Sequence, residues 1–143
     1  LMHHFHGSCH CGNLEVDYST AIAPADSAVR ACQCSFCRKH DARAISDPDG
    51  TIEIIVNQPD LLERYRFELG VTDYLLCRKC GVYVSAYSQR DSEAYANVMV
   101  NVLDARAQFP APGPVHLDGE DELGKWQRRA KNWTPATMRI LGQ

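Results

Sequence analysis

Seven cysteines fall by spacing into a pair, a trio and a pair, and this division constrains the chain more than any other feature. Cys32, Cys34 and Cys37 stand at C-x-C-x-x-C spacing within Ala31-Cys32-Gln33-Cys34-Ser35-Phe36-Cys37-Arg38-Lys39. A disulfide uses two sulfurs and leaves the third unpaired, so a metal ion is the first reading of three thiols this close. Cys9 and Cys11 form a C-x-C near the start, and Cys77 and Cys80 a C-x-x-C downstream. The two pairs make a four-thiolate set and the trio a second, incomplete one. Zinc with four protein ligands is closed and structural, whereas zinc with three keeps a position for water or substrate. The expected arrangement is therefore an open zinc site over Cys32, Cys34 and Cys37, held in place by a closed one over Cys9, Cys11, Cys77 and Cys80. Competing readings stand beside it. The outer four would otherwise be buried free thiols or two disulfides. The central three would be a second structural site closed by a distant residue, a redox-active thiol set, or a set without metal. His40, three positions after Cys37, is the nearest candidate for a fourth ligand. Arg38 and Lys39 are either solvated surface or, beside thiolates, cations that neutralise the cluster or contact an anionic ligand.

A length of 143 residues suits one domain with its own core. Hydrophobic content of 45% and charged content of 23% are ordinary for a soluble globular protein. No apolar run approaches the roughly 20 residues that span a bilayer, so no membrane association is expected. The start, Leu1-Met2-His3-His4-Phe5-His6, lacks a signal-peptide layout, which points to the cytoplasm, where clustered thiols serve as metal ligands rather than bridges. No role is assigned to the histidines of this stretch. The net charge of -3 becomes more negative if all the thiols ionise around two zinc ions, and such a chain lacks the electrostatic footprint of a nucleic-acid binder. Gln127-Arg128-Arg129-Ala130-Lys131 is a local exception that a solvated helix face explains.

Most of the chain reads as strands. Gly7-Ser8-Cys9-His10-Cys11-Gly12 is a knuckle, and Leu14 to Tyr18 alternates apolar with acidic residues. Ala28 to Ala31, Thr51 to Val56, Glu63 to Phe67, Val71 to Leu76, Val82 to Tyr87 and Tyr95 to Val102 are further strands, several rich in β-branched residues. Turns are expected at Ala23 to Asp26 and Asp47 to Gly50, and one helical turn over Arg38 to Arg43. After Phe109 the prolines at 110, 112 and 114 argue against regular structure. Asp118 to Lys131 reads as a short polar helix carrying Trp126, in a tail packed on the same domain.

Gly7-Ser8-Cys9-His10-Cys11-Gly12, Cys32-Gln33-Cys34-Ser35-Phe36-Cys37-Arg38 and Cys77-Arg78-Lys79-Cys80-Gly81 resemble, in order and spacing, the three motifs of the glutathione-dependent formaldehyde-activating enzyme family, the CENP-V/GFA domain. The match runs from about Phe5 to Leu103. The resemblance implies a mainly β, Mss4-like fold of several small antiparallel sheets in a tent arrangement, with rubredoxin-like zinc knuckles. It implies a zinc-binding domain over 5–108, and the tail over 109–143, which the resemblance does not cover, reads as an extension packed on that domain. By the same resemblance Cys9, Cys11, Cys77 and Cys80 match structural zinc ligands, and Cys32, Cys34 and Cys37 match the ligands of a catalytic zinc. The implied activity is that of a carbon-sulfur lyase, an S-hydroxymethylglutathione synthase acting on formaldehyde and glutathione or another small thiol. The chain departs from the pattern at Lys39-His40-Asp41-Ala42, and if His40 closes the metal the catalytic reading weakens. The alternatives are a non-catalytic zinc module for a protein partner, and a thiol redox or metal-handling protein.

Overall fold

Alternation of apolar and polar residues places the core strands. Leu14, Val16 and Tyr18 are at most 2% exposed, while Glu15, Asp17 and Ser19 point the other way, the period of a strand with one buried face. Ile52, Ile54 and Val56 of the next long strand meet them in antiparallel register as Tyr18↔Ile52, Val16↔Ile54 and Leu14↔Val56. The computed structural model describes residues 1–117 and 119–142. In chain order its elements are β1 (His3–Ser8), β2 (Leu14–Thr20), β3 (Arg30–Cys32), α1 (Ser35–His40), β4 (Ala44–Ile45), β5 (Thr51–Val56), β6 (Leu62–Tyr65), β7 (Asp73–Cys77), β8 (Tyr83–Arg90), β9 (Glu93–Ala96), β10 (Val98–Met99), β11 (Gly113–Val115), α2 (Glu122–Asn132) and β12 (Thr134–Ile140).

The strands form an eight-stranded sheet in the order β1-β2-β5-β12-β9-β8-β7-β6 and a four-stranded sheet in the order β10-β4-β3-β11. The class is mainly β, as expected, and most neighbours are antiparallel. The two parallel pairings, β12 with β5 and β11 with β3, both come from the segment after residue 109. β12 joins the two halves of the large sheet, pairing Ala136↔Ile52 through Ile140↔Val56 on one side and Thr134↔Ala96 on the other. The sequence reading placed no strand there, although Ala136, Met138 and Ile140 alternate with Pro135, Thr137 and Arg139. β11 is a correction: the prolines do not exclude regular structure, because Pro114 lies on an edge strand, where a missing N–H leaves no ladder bond unmade. The expected helix from Asp118 begins at Glu122, and Asp118 itself lies outside the described residues.

Two other elements differ from expectation for local reasons. The single strand expected over Tyr95 to Val102 divides at Asn97 into β9, β10 and a 3-10 turn over Val100–Val102. The buried Asn97 side chain accepts a bond from the Ala86 amide at 2.9 Å, and its carbonyl accepts one from Ser85 Oγ at 2.6 Å. There the chain leaves one sheet and enters the other. The helix expected over Arg38 to Arg43 begins earlier, at Ser35, because Cys34 Sγ accepts the Cys37 amide in the manner of an N-cap.

Candidate metal centre

The outer site is built from two tight turns. Cys9 follows β1, its amide bonds the Leu14 carbonyl at 2.9 Å, and the Leu14 amide points at Cys9 Sγ at 3.3 Å. Cys77 ends β7, its amide bonds the Val82 carbonyl at 3.1 Å, and the Gly81 amide returns to the Cys77 carbonyl at 2.8 Å. Gly12 and Gly81 follow the second cysteine of each pair at φ +85 and +80, a left-handed conformation that glycine adopts without a Cβ clash. Gly7, the first residue of the expected knuckle, serves differently. It lies within β1, and a Cβ there would fall 2.2 Å from the Val102 carbonyl oxygen, so it is glycine to let β1 approach the 102–103 backbone.

The sulfurs of Cys9, Cys11, Cys77 and Cys80 lie within 4.8 Å of one another, with Cys9 to Cys11 at 3.7 Å and Cys11 to Cys77 at 3.5 Å. A disulfide requires about 2.05 Å, whereas zinc at about 2.3 Å from four tetrahedral sulfurs sets their separations near 3.8 Å. The spacing fits a closed four-sulfur zinc site. Burial pushes the Cys9 thiol up to about 12. Burial acts the same way on Cys80, but amide hydrogen bonds from Cys11 and Val82 and thiol hydrogen bonds from Cys77 and Cys9 together lower that thiol to about 6.

The central site joins two elements, β3 and α1. Cys32 ends β3, Cys34 caps α1 and Cys37 lies in its first turn. Their sulfurs also lie within 4.8 Å of one another, and among the described residues this group takes in no fourth ligand. His40, the expected candidate, stands outside it: its ring packs 4.6 Å from Phe36 and 5.5 Å from Tyr83. Its position is fixed by the end of α1 at Asp41, which sits at φ 49 and whose carbonyl accepts from Asn101 Nδ2 at 2.9 Å. The thiol of Cys37 donates to Cys32, which lowers Cys32 to about 5 despite its burial and raises Cys37, while burial raises Cys34. The trio is thus a thiolate backed by two thiols, a donor set that suits a soft divalent ion with a position to spare.

The cations beside these sulfurs are not those expected. Arg38 and Lys39 are exposed on the last turn of α1 and line none of the cavities at the trio. A cavity of 70 Å³ is lined instead by Cys32, Cys37, Arg30, Arg128 and Arg129, with Tyr74, Tyr83, Met99 and Trp133 among its other walls. A second, of 50 Å³, is lined by Cys32, Cys34, His116, Lys125, Arg128 and Arg129. The basic run 127–131 is therefore not simply a solvated face, and Arg129 is only 3% exposed. Helical spacing carried the signal, since Arg129 lies three residues after Trp126 and four before Trp133 and so shares their face. A larger surface depression, 580 Å³ over β2, β5, β9 and β12, contains none of the cysteines.

The model of the family described as "Glutathione-dependent formaldehyde-activating enzyme" matches residues 4–116. A crystal structure of a Rhodobacter sphaeroides protein is similar, at 27% identity and a TM-score of 0.55, over 77% of this chain and 99% of that chain. All seven cysteines, in their four-plus-three grouping, lie inside the matched span, and the chain belongs to the glutathione-dependent formaldehyde-activating enzyme family.

Proposed function

We propose that the protein is a zinc-dependent carbon-sulfur lyase that forms and cleaves the adduct of a small aldehyde with a thiol, formaldehyde and glutathione being the pair the family name implies. The observation that carries the reading is the asymmetry of the two sulfur groups, four in one and three in the other, the three opening on a cavity. Cys9, Cys11, Cys77 and Cys80 would hold a structural zinc that clamps the end of β1 to the end of β7. Cys32, Cys34 and Cys37 would hold a second. There the ion would supply Lewis acidity, favouring the thiolate form of an incoming thiol or drawing charge from an aldehyde oxygen.

The reaction balances without a further reagent. The sulfur lone pair forms the C–S bond to the carbonyl carbon, the C=O π pair moves to oxygen, and the proton lost from sulfur ends on that oxygen. The chain's own residues position and exclude. Burial raises the Tyr74 phenol to about 12 and holds Tyr83 well above the ordinary phenol value, so both remain protonated at neutral pH and act in the cavity as donors, not bases. Ala42, Ala44, Ala86, Met99 and Trp133 make much of the rest of that wall apolar, with Asn97 as a polar exception, which limits competing water. The zinc-binding unit over 5–108 and the extension over 109–143 work as one body in this reading, since Arg128 and Arg129 come from the extension. No helix among the described residues is long and apolar enough to cross a membrane, and a cytoplasmic site of action is part of the proposal.

The test is exchange of formaldehyde between free and thiol-bound forms, followed by NMR with zinc-loaded protein and several thiols including glutathione. Acceleration over the spontaneous rate, lost in Cys34→Ser, is expected. Exchange at the spontaneous rate with every thiol rejects the activity. A cobalt-substituted central site whose visible spectrum ignores added thiol rejects the open coordination position.

A further inference from the structure

Arg129 is a guanidinium removed from water, and among the described residues it lacks the carboxylate partner that such burial normally requires. Its Nη1 donates to Thr72 Oγ1, its guanidinium carbon lies 4.4 Å over the Trp133 ring, and among the described residues its Nε has no hydrogen-bond partner. Arg128 beside it is answered, its Nε donating to both Glu120 carboxylate oxygens at 3.0 and 2.9 Å. Among the described residues no carboxylate pairs with Arg129, and Arg30 on the same cavity donates to a hydroxyl, Ser46 Oγ, at 2.9 Å. Three thiolates around a divalent ion would leave a single net negative charge, fewer than the two positive charges of Arg129 and Arg30 on the same cavity, so this wall is cationic.

We propose that Arg129 reads the charge of the thiol substrate, and that this protein takes a small thiol whose carboxylate lies a few bonds from its sulfur. The inference rests on the carbon-sulfur reading above and adds the substrate's class and the residue that selects it. Arg129 shares one cavity with Cys32 and Cys37 and a second with Cys32 and Cys34, of 70 and 50 Å³. A ligand of a handful of heavy atoms bridges sulfur to guanidinium in that space. Arg129 also lies in α2, beyond the span 4–116 that the family model matches, so this selection belongs to the chain and not to the shared motifs.

The experiment uses the zinc-loaded full chain carrying Trp126→Phe, so that Trp133, stacked on Arg129, reports binding by its fluorescence. Mercaptoacetate, mercaptoacetamide and acetate are titrated separately, with calorimetry in parallel. Mercaptoacetate should bind about tenfold or more tightly than the amide, the effect of one charge-assisted hydrogen-bond pair. Arg129→Gln should remove that preference. Acetate should perturb Trp133 in the parent and not in Arg129→Gln. That arm needs no sulfur, so it still supports the role of Arg129 if the central metal proves closed and the lyase reading fails. Equal affinity for acid and amide on the parent overturns the proposal without any substituted arginine, and so does a preference that survives in Arg129→Gln.

Discussion

Replacing Gly7 with alanine tests how the N-terminal strand is seated, and through it the position of Cys9. A Cβ on Gly7 would lie 2.2 Å from the Val102 carbonyl oxygen, 2.8 Å from its carbon and 2.9 Å from Leu103 Cα. Carbon and oxygen rest at roughly 3.3 Å even in close C–H···O contacts, so something must move by about 1 Å. All three obstructing atoms are main chain and cannot rotate away. β1 is held on its other side by the register His3↔Thr20 through Ser8↔Glu15. The 102–104 segment is held by Leu103 N to Val100 O at 3.0 Å and Asp104 N to His6 O at 2.9 Å. Overpacking against backbone on both sides belongs near the upper end of the usual range, about 3 kcal/mol, which for a chain of this length lowers Tm by about 8–12 °C. Gly12→Ala is the comparison: its Cβ meets nothing within 4 Å, but its φ is +85, so only the backbone penalty of about 1 kcal/mol applies. Urea unfolding of the zinc-loaded proteins measures both. A Gly7→Ala protein within about 0.5 kcal/mol of the parent, or more stable than Gly12→Ala, would refute the close approach as the reason for glycine at this position.

Asp47→Ala should cost about 2–3 kcal/mol in the same assay, because Asp47 accepts from Thr20 Oγ1 at 2.6 Å and from the Asp49 amide at 3.0 Å inside the fold. A loss under about 0.5 kcal/mol would show that neither bond stabilises the turn. Loading the central site at pH 7 should release two protons per zinc, from Cys34 and Cys37, since Cys32 titrates at about 5 and is already ionised. Affinity therefore rises with pH across neutrality and falls more steeply once pH drops through about 5. Calorimetry in buffers of different ionisation enthalpy counts the protons, and a count of three removes the ionised Cys32. His6 Nδ1 donates to the Asp17 carboxylate at 2.7 Å, and this hydrogen bond raises its pKa. Its contribution to stability is full below the ordinary histidine value of about 6.5 and is lost as pH rises through the higher folded value. An NMR titration should show the raised midpoint return toward ordinary in Asp17→Asn, and no change on that substitution removes Asp17 as the cause.

The sulfur sites were legible because a metal knuckle is a local object. C-x-C or C-x-x-C followed by glycine brings two sulfurs together within a few residues whatever the rest of the chain does, and Gly12 and Gly81 close those turns. The strands β2 and β5 were legible for a related reason, since burial of one face imposes a period of two on neighbouring side chains. The cavity beside the trio was not legible. Its cations come from Arg30, on a strand beside the trio, and from Arg128 and Arg129, about ninety residues farther along, brought back only because β12 inserts between β5 and β9 and draws α2 over the sulfurs. Spacing in the chain groups the ligands. Which cation faces a ligand, and whether it is wet or buried, is decided by packing between segments far apart in sequence, where short-range steric rules carry no information.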